Sequence, residues 1–258
     1  MAWRRWAPRI GVVLFGLLLL YPLSGLWAAV GPWTLGDAAS TEAAVRTSLG
    51  LTALAMVFVV AFGTPVALYI VRCSVTERLW WQGVLLISVL LPPLALGILL
   101  SLAFGVHAPL GALLQRWGVQ TFNSPAAFVI AQFYVSIGYY ILAAIAALQS
   151  VPRALQLQAA LLGLTPWRVF WRITFPLARI GLAAALSLAW VRALGEFGAV
   201  LVVAYYPAGM PVQLWVSLQN FGLPAVMPLL VLFLASALPL PWLIHLFAQR
   251  RASTARHA

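Results

Sequence analysis

Lysine is absent from this chain, and all 15 of its basic residues are arginine. A phosphate-binding P-loop needs a lysine side chain, and so do Schiff-base and pyridoxal chemistry, so these classes are excluded. Acidic residues are nearly as rare. The four in the chain, Asp37, Glu42, Glu77 and Glu196, are too scattered to predict a paired-carboxylate site or a carboxylate metal site.

Cysteine and histidine are also scarce. Cys73 is the single cysteine, so an internal disulfide is excluded. The histidines, His107, His245 and His257, lie far apart in the sequence and show no metal-ligand spacing. We therefore predict that this chain binds no metal and no cofactor of its own.

What the chain has in excess is apolar residues. It is 64% hydrophobic and 7% charged, with a mean hydropathy of +1.01. A soluble domain needs more charge on its surface than this. Long uninterrupted apolar runs favour helices over the short alternating strands of a membrane barrel. The sequence thus predicts an all-α, polytopic membrane protein.

Six apolar windows are each long enough to cross a bilayer, which takes about 20 helical residues for roughly 30 Å. They lie near residues 10–30, 48–71, 80–104, 126–148, 180–204 and 225–247. The first is longer than the apolar part of a secretory signal, so we expect it to remain as a span. The six spans are predicted to form one bundle, a single transmembrane domain over residues 1–258.

The placement of arginine predicts the orientation in the membrane. Twelve arginines fall at the termini and in the second and fourth connecting loops, while the opposite loops hold only Arg46 and Arg116. The arginine-rich side of a membrane protein is normally cytoplasmic. We therefore expect a multi-pass protein of the cytoplasmic membrane, with both termini and the loop of residues 149–179 inside. Topology also explains the net charge of +11 without nucleic-acid binding.

The cytoplasmic loop contains an amphipathic island at residues 158–176. Thr165 and Pro166 are a helix-start signal in which the hydroxyl can cap the helix, and Gly163 before them permits a sharp turn. Arginines and aromatic residues then fall on separate faces. Pro176 is expected to end this element before the next span. So short a helix must pack on something, and the pattern leaves lipid headgroups and a groove on a protein partner open.

Gly163, Ile173 and Pro176 stand at the spacing of the EAA loop, and the island resembles that loop in the membrane subunits of ABC importers. The resemblance implies a coupling helix received by a separate ATPase, which would bind ATP and magnesium. Two positions depart from the family pattern, since Leu157 replaces the usual Glu and Phe175 replaces a Leu. The implied coupling residues are Gln158, Ala159, Gly163, Thr165, Pro166, Trp167, Phe170, Trp171, Ile173 and Pro176.

Segments outside this loop are similar to the same family. Residues 63–67 and 91–97 look like its second span and its broken third span, and residues 192–199 are similar to its oxyanion-importing members. Residues 204–207 and 222–228 look most like the tungstate and molybdate branch. The resemblance implies a type I importer permease working as a homodimer, with the pore on the two-fold axis.

An uncharged outer loop follows the fifth predicted span, at residues 206–224. Its glycines and prolines predict turns around a short surface helix at residues 213–219. This helix is expected either to receive an external substrate-binding protein or to form a lid over the pore.

Candidates for the transport pathway lie within the spans: Pro92, Pro93, Arg192, Gly195, Glu196 and Gly198. The two prolines break a helix, which favours either a wet cavity or a simple packing kink. The arginine and the glutamate are one turn apart and are predicted to pair, either to hold the fifth span in place or to form part of a gate. The two glycines are predicted to permit close helix contact, between subunits or within one.

The sequence therefore predicts the transmembrane subunit of an ATP-driven uptake system for a tetrahedral oxyanion, tungstate or molybdate, rather than an enzyme. A sulfate or thiosulfate permease is the alternative within transport, because those anions share the four-oxygen geometry. A multi-span membrane enzyme would need several convergent polar groups, whereas the spans offer one acid–arginine pair. A structural anchor that recruits a soluble complex is a third alternative.

Overall fold

The computed structural model describes residues 3–28, 38–239 and 241–243, and every regular element among them is helical. The predicted all-α class is therefore confirmed. The helices are α1 (Trp3–Leu20), α2 (Gly25–Ala28), α3 (Ala38–Arg72), α4 (Val75–Leu90), α5 (Pro93–Phe104), α6 (Pro109–Arg116), α7 (Pro125–Gln149), α8 (Arg153–Leu161), α9 (Pro166–Val169), α10 (Phe175–Leu194), α11 (Gly198–Val203), α12 (Met210–Phe221) and α13 (Leu223–Ala237). A 3-10 turn at Tyr21–Ser24 joins α1 to α2, and a π-helical turn at Phe170–Thr174 joins α9 to α10.

Four helical segments in the described chain are long and apolar enough to cross a membrane: Ala38–Arg72, Pro125–Gln149, Pro166–Leu194 and Leu223–Leu243. Helices α4 and α5 together make a fifth, although they meet at a bend of 103°. The predicted count of six is not confirmed. Around the first predicted span the described chain has a shorter apolar helix, Val12–Ser24, and residues 29–30, 240 and 244–247 of the predicted spans lie outside the described residues.

The bend between α4 and α5 confirms the predicted break at Pro92 and Pro93. Helix α4 ends at Leu90, and α5 begins at Pro93 with Pro92 as its extended N-terminal flank. Proline has no N–H to donate and its ring collides with the preceding turn, so two in succession end one helix and start another.

The fifth predicted span is wrong at both ends. The helical segment runs unbroken from Pro166 to Leu194, so Pro176 does not end the short helix that begins at Pro166. The π-helical turn carries the chain into this proline, with the Phe175 N–H donating to the Phe170 carbonyl. A wider turn of this kind leaves room for the ring and absorbs the missing N–H. At the other end the helix stops at Leu194, and α11 follows as a separate short helix.

Helix α7 lies at the centre of the bundle. It packs between α3 and α10 in the largest core cluster, which includes Val59, Tyr140, Ile145 and Ala185. A second cluster packs α5, α11 and α12 against the N-terminal half of α7. This arrangement places the α4–α5 bend beside the start of α11.

The loop predicted to face outward contains the predicted helix, but α12 is longer than expected, at Met210–Phe221. Its start is tied to the bundle because the Met210 N–H donates to the Ser48 hydroxyl of α3 at 2.7 Å, and both residues are buried.

Candidate functional site

The coupling loop begins with α8 and turns sharply at Gly163, which has φ of +80°. The Gly163 N–H donates to the Ala160 carbonyl at 3.0 Å, and the Leu164 N–H donates to the Ala159 carbonyl at 3.1 Å. These two bonds make a Schellman motif, in which a glycine in the left-handed region satisfies the last carbonyls of a helix. The predicted turn at Gly163 is confirmed, and it directs the chain into α9.

Helix α9 begins where the sequence predicts, with Thr165 at the N-cap position and Pro166 in the first turn. The predicted cap by the Thr165 hydroxyl is wrong, because this side chain makes no capping hydrogen bond. The first turn closes instead through the main chain, with the Val169 N–H donating to the Thr165 carbonyl at 2.9 Å. Proline at the first position has already removed one of the N–H groups that a cap would satisfy.

The aromatic residues of the loop form one cluster. Trp167 and Trp171 meet edge to face with ring centroids 5.5 Å apart, and Phe170 lies 5.2 Å from Trp171. The exposed fractions of Trp167 and Trp171 are 70% and 47%, whereas Phe170 is half-buried. Two large exposed indoles on a short helix are suited to contact a partner surface. Their contact with an ATPase stays a prediction.

The remaining predicted coupling residues lie behind that aromatic cluster. Gln158, Ala159, Ile173 and Pro176 line a cavity of about 450 Å³ between α8 and the helical segment that starts at Pro166. Ala159 is buried, and so is Val169 on the facing turn. The structure thus brings the residues of the EAA-like spacing together in one folded hairpin.

A second group of predicted residues surrounds the gap between α10 and α11. Arg192 donates to the Glu196 carboxylate at 2.5 Å, which confirms the predicted pair. The sequence predicted Glu196 inside a continuous span, which is wrong. The residue lies in the gap between α10 and α11, where its other carboxylate oxygen accepts from the Ala199 N–H at 2.7 Å. Its side chain is 1% exposed, whereas that of Arg192 is 25% exposed. One buried carboxylate therefore holds the end of α10 and the start of α11 together.

The gap and the α4–α5 bend touch each other. A Cβ added at Gly198 would lie 3.0 Å from the Leu94 N atom and 3.0 Å from the Pro93 Cβ. A Cβ added at Gly97 would lie 2.9 Å from the Ala199 Cα. Glycine here permits two helices to approach to backbone contact. Gly198 thus packs within one subunit, while Gly195, the residue that follows α10, is exposed.

Gln132, a buried amide in the N-terminal half of α7, was not predicted from the sequence as a site residue. Its Nε2 donates to the Thr52 hydroxyl at 2.9 Å and to the Ala193 carbonyl at 3.0 Å. These bonds join α3, α7 and the last turn of α10, just before Glu196. A lone glutamine within an apolar run was the available signal, since buried amides need hydrogen-bond partners.

Metal-binding side chains do not cluster in the described part of the chain, where no group of three or more His, Cys, Asp or Glu residues lies together. His245 and His257 lie outside the described residues.

Residues 63–253 match a family described as binding-protein-dependent transport system inner membrane components. The chain belongs to this family. The permease is therefore a membrane-integral transport component, and its fold, with a bent helix pair at α4–α5 and a helical hairpin at α8–α9, is the fold that the EAA-like loop implied.

Two relatives share most of their length with this permease. It is 35% identical over 240 residues to the probable molybdenum ABC transporter permease protein of Haloferax volcanii, which covers 91% of this chain and 88% of the relative. It is 29% identical over 215 residues to the molybdate/tungstate transport system permease protein of Thermococcus kodakarensis, which covers 82% and 81% of the two chains.

A solved structure shows the same fold. A chain of a bacterial alginate ABC transporter, crystallised with a pentasaccharide-bound periplasmic protein, matches 96% of the permease with a TM-score of 0.75. The match covers 94% of that chain at 18% identity. The fold is therefore that of ABC importer permeases.

Proposed function

We propose that this permease is the transmembrane subunit of an ATP-driven importer for molybdate or tungstate. The observation that carries the proposal is the 35% identity, over 91% of the chain, to a probable molybdenum ABC transporter permease. The relative from Thermococcus kodakarensis, a molybdate/tungstate permease, supports the same pair of oxyanions.

The helical hairpin of residues 153–176, called the coupling hairpin, is the proposed docking element for a separate ATPase. Its Schellman turn at Gly163 fixes the direction of α9, and Trp167 and Trp171 present exposed indole surface. Since Leu157 stands where the family has an acid, the contact between the hairpin and the ATPase is mainly apolar. Binding and hydrolysis of ATP with magnesium take place on the ATPase.

The rest of the assembly follows from the family. Two copies of the permease form a homodimer with the pathway on the two-fold axis, and an external binding protein delivers the oxyanion at the side of α12. Both termini and the coupling hairpin face the cytoplasm, as the arginine distribution favours. Closure of the two ATPase subunits moves the hairpins together and shifts the bundle between inward-facing and outward-facing states.

The gap between α10 and α11 is proposed as part of the pathway or its gate. A bare carboxylate would repel a dianion. Pairing of Glu196 with Arg192 removes most of that repulsion, while Arg192 keeps a quarter of its side chain exposed. The pair therefore tunes the charge at the junction of the two broken helices, and Glu196 is not a direct ligand of the substrate.

Uptake of radiolabelled oxyanion tests the proposal. The permease is expressed with a candidate ATPase and a candidate oxyanion-binding protein from the same organism, in a strain that lacks its own molybdate system. Uptake of molybdate or tungstate that unlabelled sulfate does not compete away is the expected result. Sulfate uptake alone would contradict the substrate assignment and favour the sulfate permease. No uptake of any oxyanion, in a complex shown to assemble, would contradict the transport assignment itself.

A further inference from the structure

A groove of about 660 Å³ lies next to the coupling hairpin, between α3 and the helical segment from Pro166 to Leu194. Its two long walls are apolar. One wall is formed by successive turns of α3 and the other by α10, and the residues include Val60, Thr64, Leu68, Leu182 and Leu186. Tyr140 of α7 also lines it, and its hydroxyl is paired with Thr64 at 2.7 Å. The walls therefore offer a surface suited to a hydrocarbon chain.

One arginine lies on each long wall of this groove. Arg72 is the last residue of α3, and Arg179 lies near the start of α10; both line the groove and both are exposed. No acidic residue is among the residues that line it. The ion pair found among the described residues joins Arg192 and Glu196, so neither of these arginines is neutralised within that part of the chain.

The length of the groove matches the depth of a membrane leaflet. From Val60 to Arg72 helix α3 rises about 18 Å at 1.5 Å per residue. One leaflet of a bilayer core is about 15 Å deep, half of the full hydrocarbon thickness. A lipid whose phosphate lies at Arg72 would therefore have an acyl chain of suitable length for the α3 wall.

We propose that this groove, lined by α3 and α10 and carrying Arg72 on one wall and Arg179 on the other, binds an anionic phospholipid. Guanidinium groups bind phosphate oxygens in bidentate geometry, and basic pockets between spans on the cytoplasmic side suit acidic headgroups. A neutral lipid would leave both arginine charges uncompensated. Helix α1 of a second copy fits less well, because its N-terminal end carries Arg4, Arg5 and Arg9 and would repel the same two arginines.

A further wall of the groove is formed by the coupling hairpin, so a bound lipid would contact the hairpin directly. Pro166, Trp167, Phe170 and Trp171 of the coupling hairpin also line it. The bound lipid therefore contacts the hairpin and the end of α3 together and holds the hairpin in the orientation that the proposed ATPase receives. This role rests on the proposed function, whereas lipid binding does not.

Lipid retention by the purified complex of permease and ATPase is the test. The complex is incorporated into nanodiscs of phosphatidylcholine and phosphatidylglycerol, extracted, and analysed by native mass spectrometry for bound lipid. Wild type is expected to retain phosphatidylglycerol in preference to phosphatidylcholine. Arg72→Gln or Arg179→Gln should each weaken retention about 5-fold, and the double variant about 30-fold, since each basic residue near an anionic headgroup contributes on that scale.

Two further variants separate this groove from general surface charge. Arg168→Gln removes the same charge from the same cytoplasmic face but from a residue that does not line the groove, and it should retain the lipid. Ala183→Phe keeps both arginines and fills the apolar wall, and it should release the lipid. The proposal is overturned if wild type retains phosphatidylglycerol and phosphatidylcholine equally. It is also overturned if Arg168→Gln loses phosphatidylglycerol to the same extent as Arg72→Gln or Arg179→Gln.

A photo-crosslinking amino acid at position 183 identifies the occupant directly. A covalent adduct with phosphatidylglycerol supports the groove as a lipid site. An adduct with a second permease chain overturns it and places another copy there. Displacement of the lipid by millimolar phosphate or molybdate would also overturn it, because it would make the arginines a site for the free anion. All three outcomes are read without transport activity, so they do not depend on the substrate assignment.

Discussion

At the scale of single residues, Glu196 has two hydrogen-bond partners, one on the helix before it and one on the helix after it. One carboxylate oxygen accepts from Arg192 on α10, and the other accepts from the Ala199 N–H on α11. With 1% of its side chain exposed, this acid has no water to replace either partner. A buried ion pair adds little stability compared with apolar residues, yet the loss of one partner is costly because the other charge stays behind.

We expect Glu196→Ala to lower the free energy of unfolding by about 3 kcal/mol, because the substitution removes both contacts and leaves Arg192 unpaired. Thermal unfolding of the purified permease in detergent measures this change. Glu42→Ala, which removes an exposed acid from α3, is the control and should change stability by no more than about 0.5 kcal/mol. Normal stability and normal uptake in Glu196→Ala would remove both the packing role and the gating role of the pair.

At the scale of elements, two helices of the permease end in the same way on different loops. Gly163 stands two residues after the end of α8 and Gly118 two residues after the end of α6, with φ of +80° and +79°. In each, the glycine N–H and the next N–H donate to the last carbonyls of the helix. An added Cβ at either position meets no atom within 4 Å. The two sites therefore differ in location and not in local geometry.

This pair gives a matched test of the coupling hairpin. Gly163→Ala and Gly118→Ala should each cost about 1 kcal/mol of stability, because each forces a Cβ into the left-handed region. Only Gly163→Ala is expected to weaken co-purification of the ATPase, by about 5-fold if the strain is released by reorienting α9. Equal ATPase retention in the two variants would contradict the docking role of the hairpin.

At the scale of the whole molecule, two interrupted helices meet at one point. The α4–α5 bend and the α10–α11 gap are far apart in sequence but lie in backbone contact through Gly97 and Gly198. Gln132 anchors the same region by bonding to Thr52 and to the Ala193 carbonyl. Interrupted helices in membranes are tolerated where protein or water satisfies their free backbone groups, and such junctions often line transport pathways.

Gly97→Ala and Gly198→Ala are expected to lower stability by about 1–3 kcal/mol, because the new methyl group would lie within 3.0 Å of the opposing helix. Gly83→Ala on α4 is the control, since its added Cβ meets nothing within 4 Å. That control should be neutral, or stabilising by up to about 1 kcal/mol from helix propensity. The melting temperature in detergent gives the stability of all three variants. Destabilisation of Gly83→Ala to the same extent would show that helix packing at the junction is not the cause.

Much of the architecture was accessible from the sequence because its signals are local. Apolar runs identify membrane helices, two successive prolines must interrupt one, and a glycine followed by Thr165 and Pro166 marks a turn into a helix. The i, i+4 spacing of Arg192 and Glu196 likewise allowed their pairing to be predicted. These features depend on bonds and sterics within a few residues.

What the sequence did not determine depends on neighbours that are remote along the chain. Pro176 does not end its helix, because a π-helical turn accommodates its ring. The fifth span stops at Leu194, because Glu196 binds the next helix and Gly198 packs on the α4–α5 bend. The role of Gln132 appears only when α3, α7 and α10 are assembled. The sequence by itself thus determined the membrane class and the helical hairpin that turns at Gly163, through hydrophobicity and local stereochemistry. Only the tertiary structure decided where the helices are interrupted and which buried polar groups meet, because those outcomes depend on packing between distant segments.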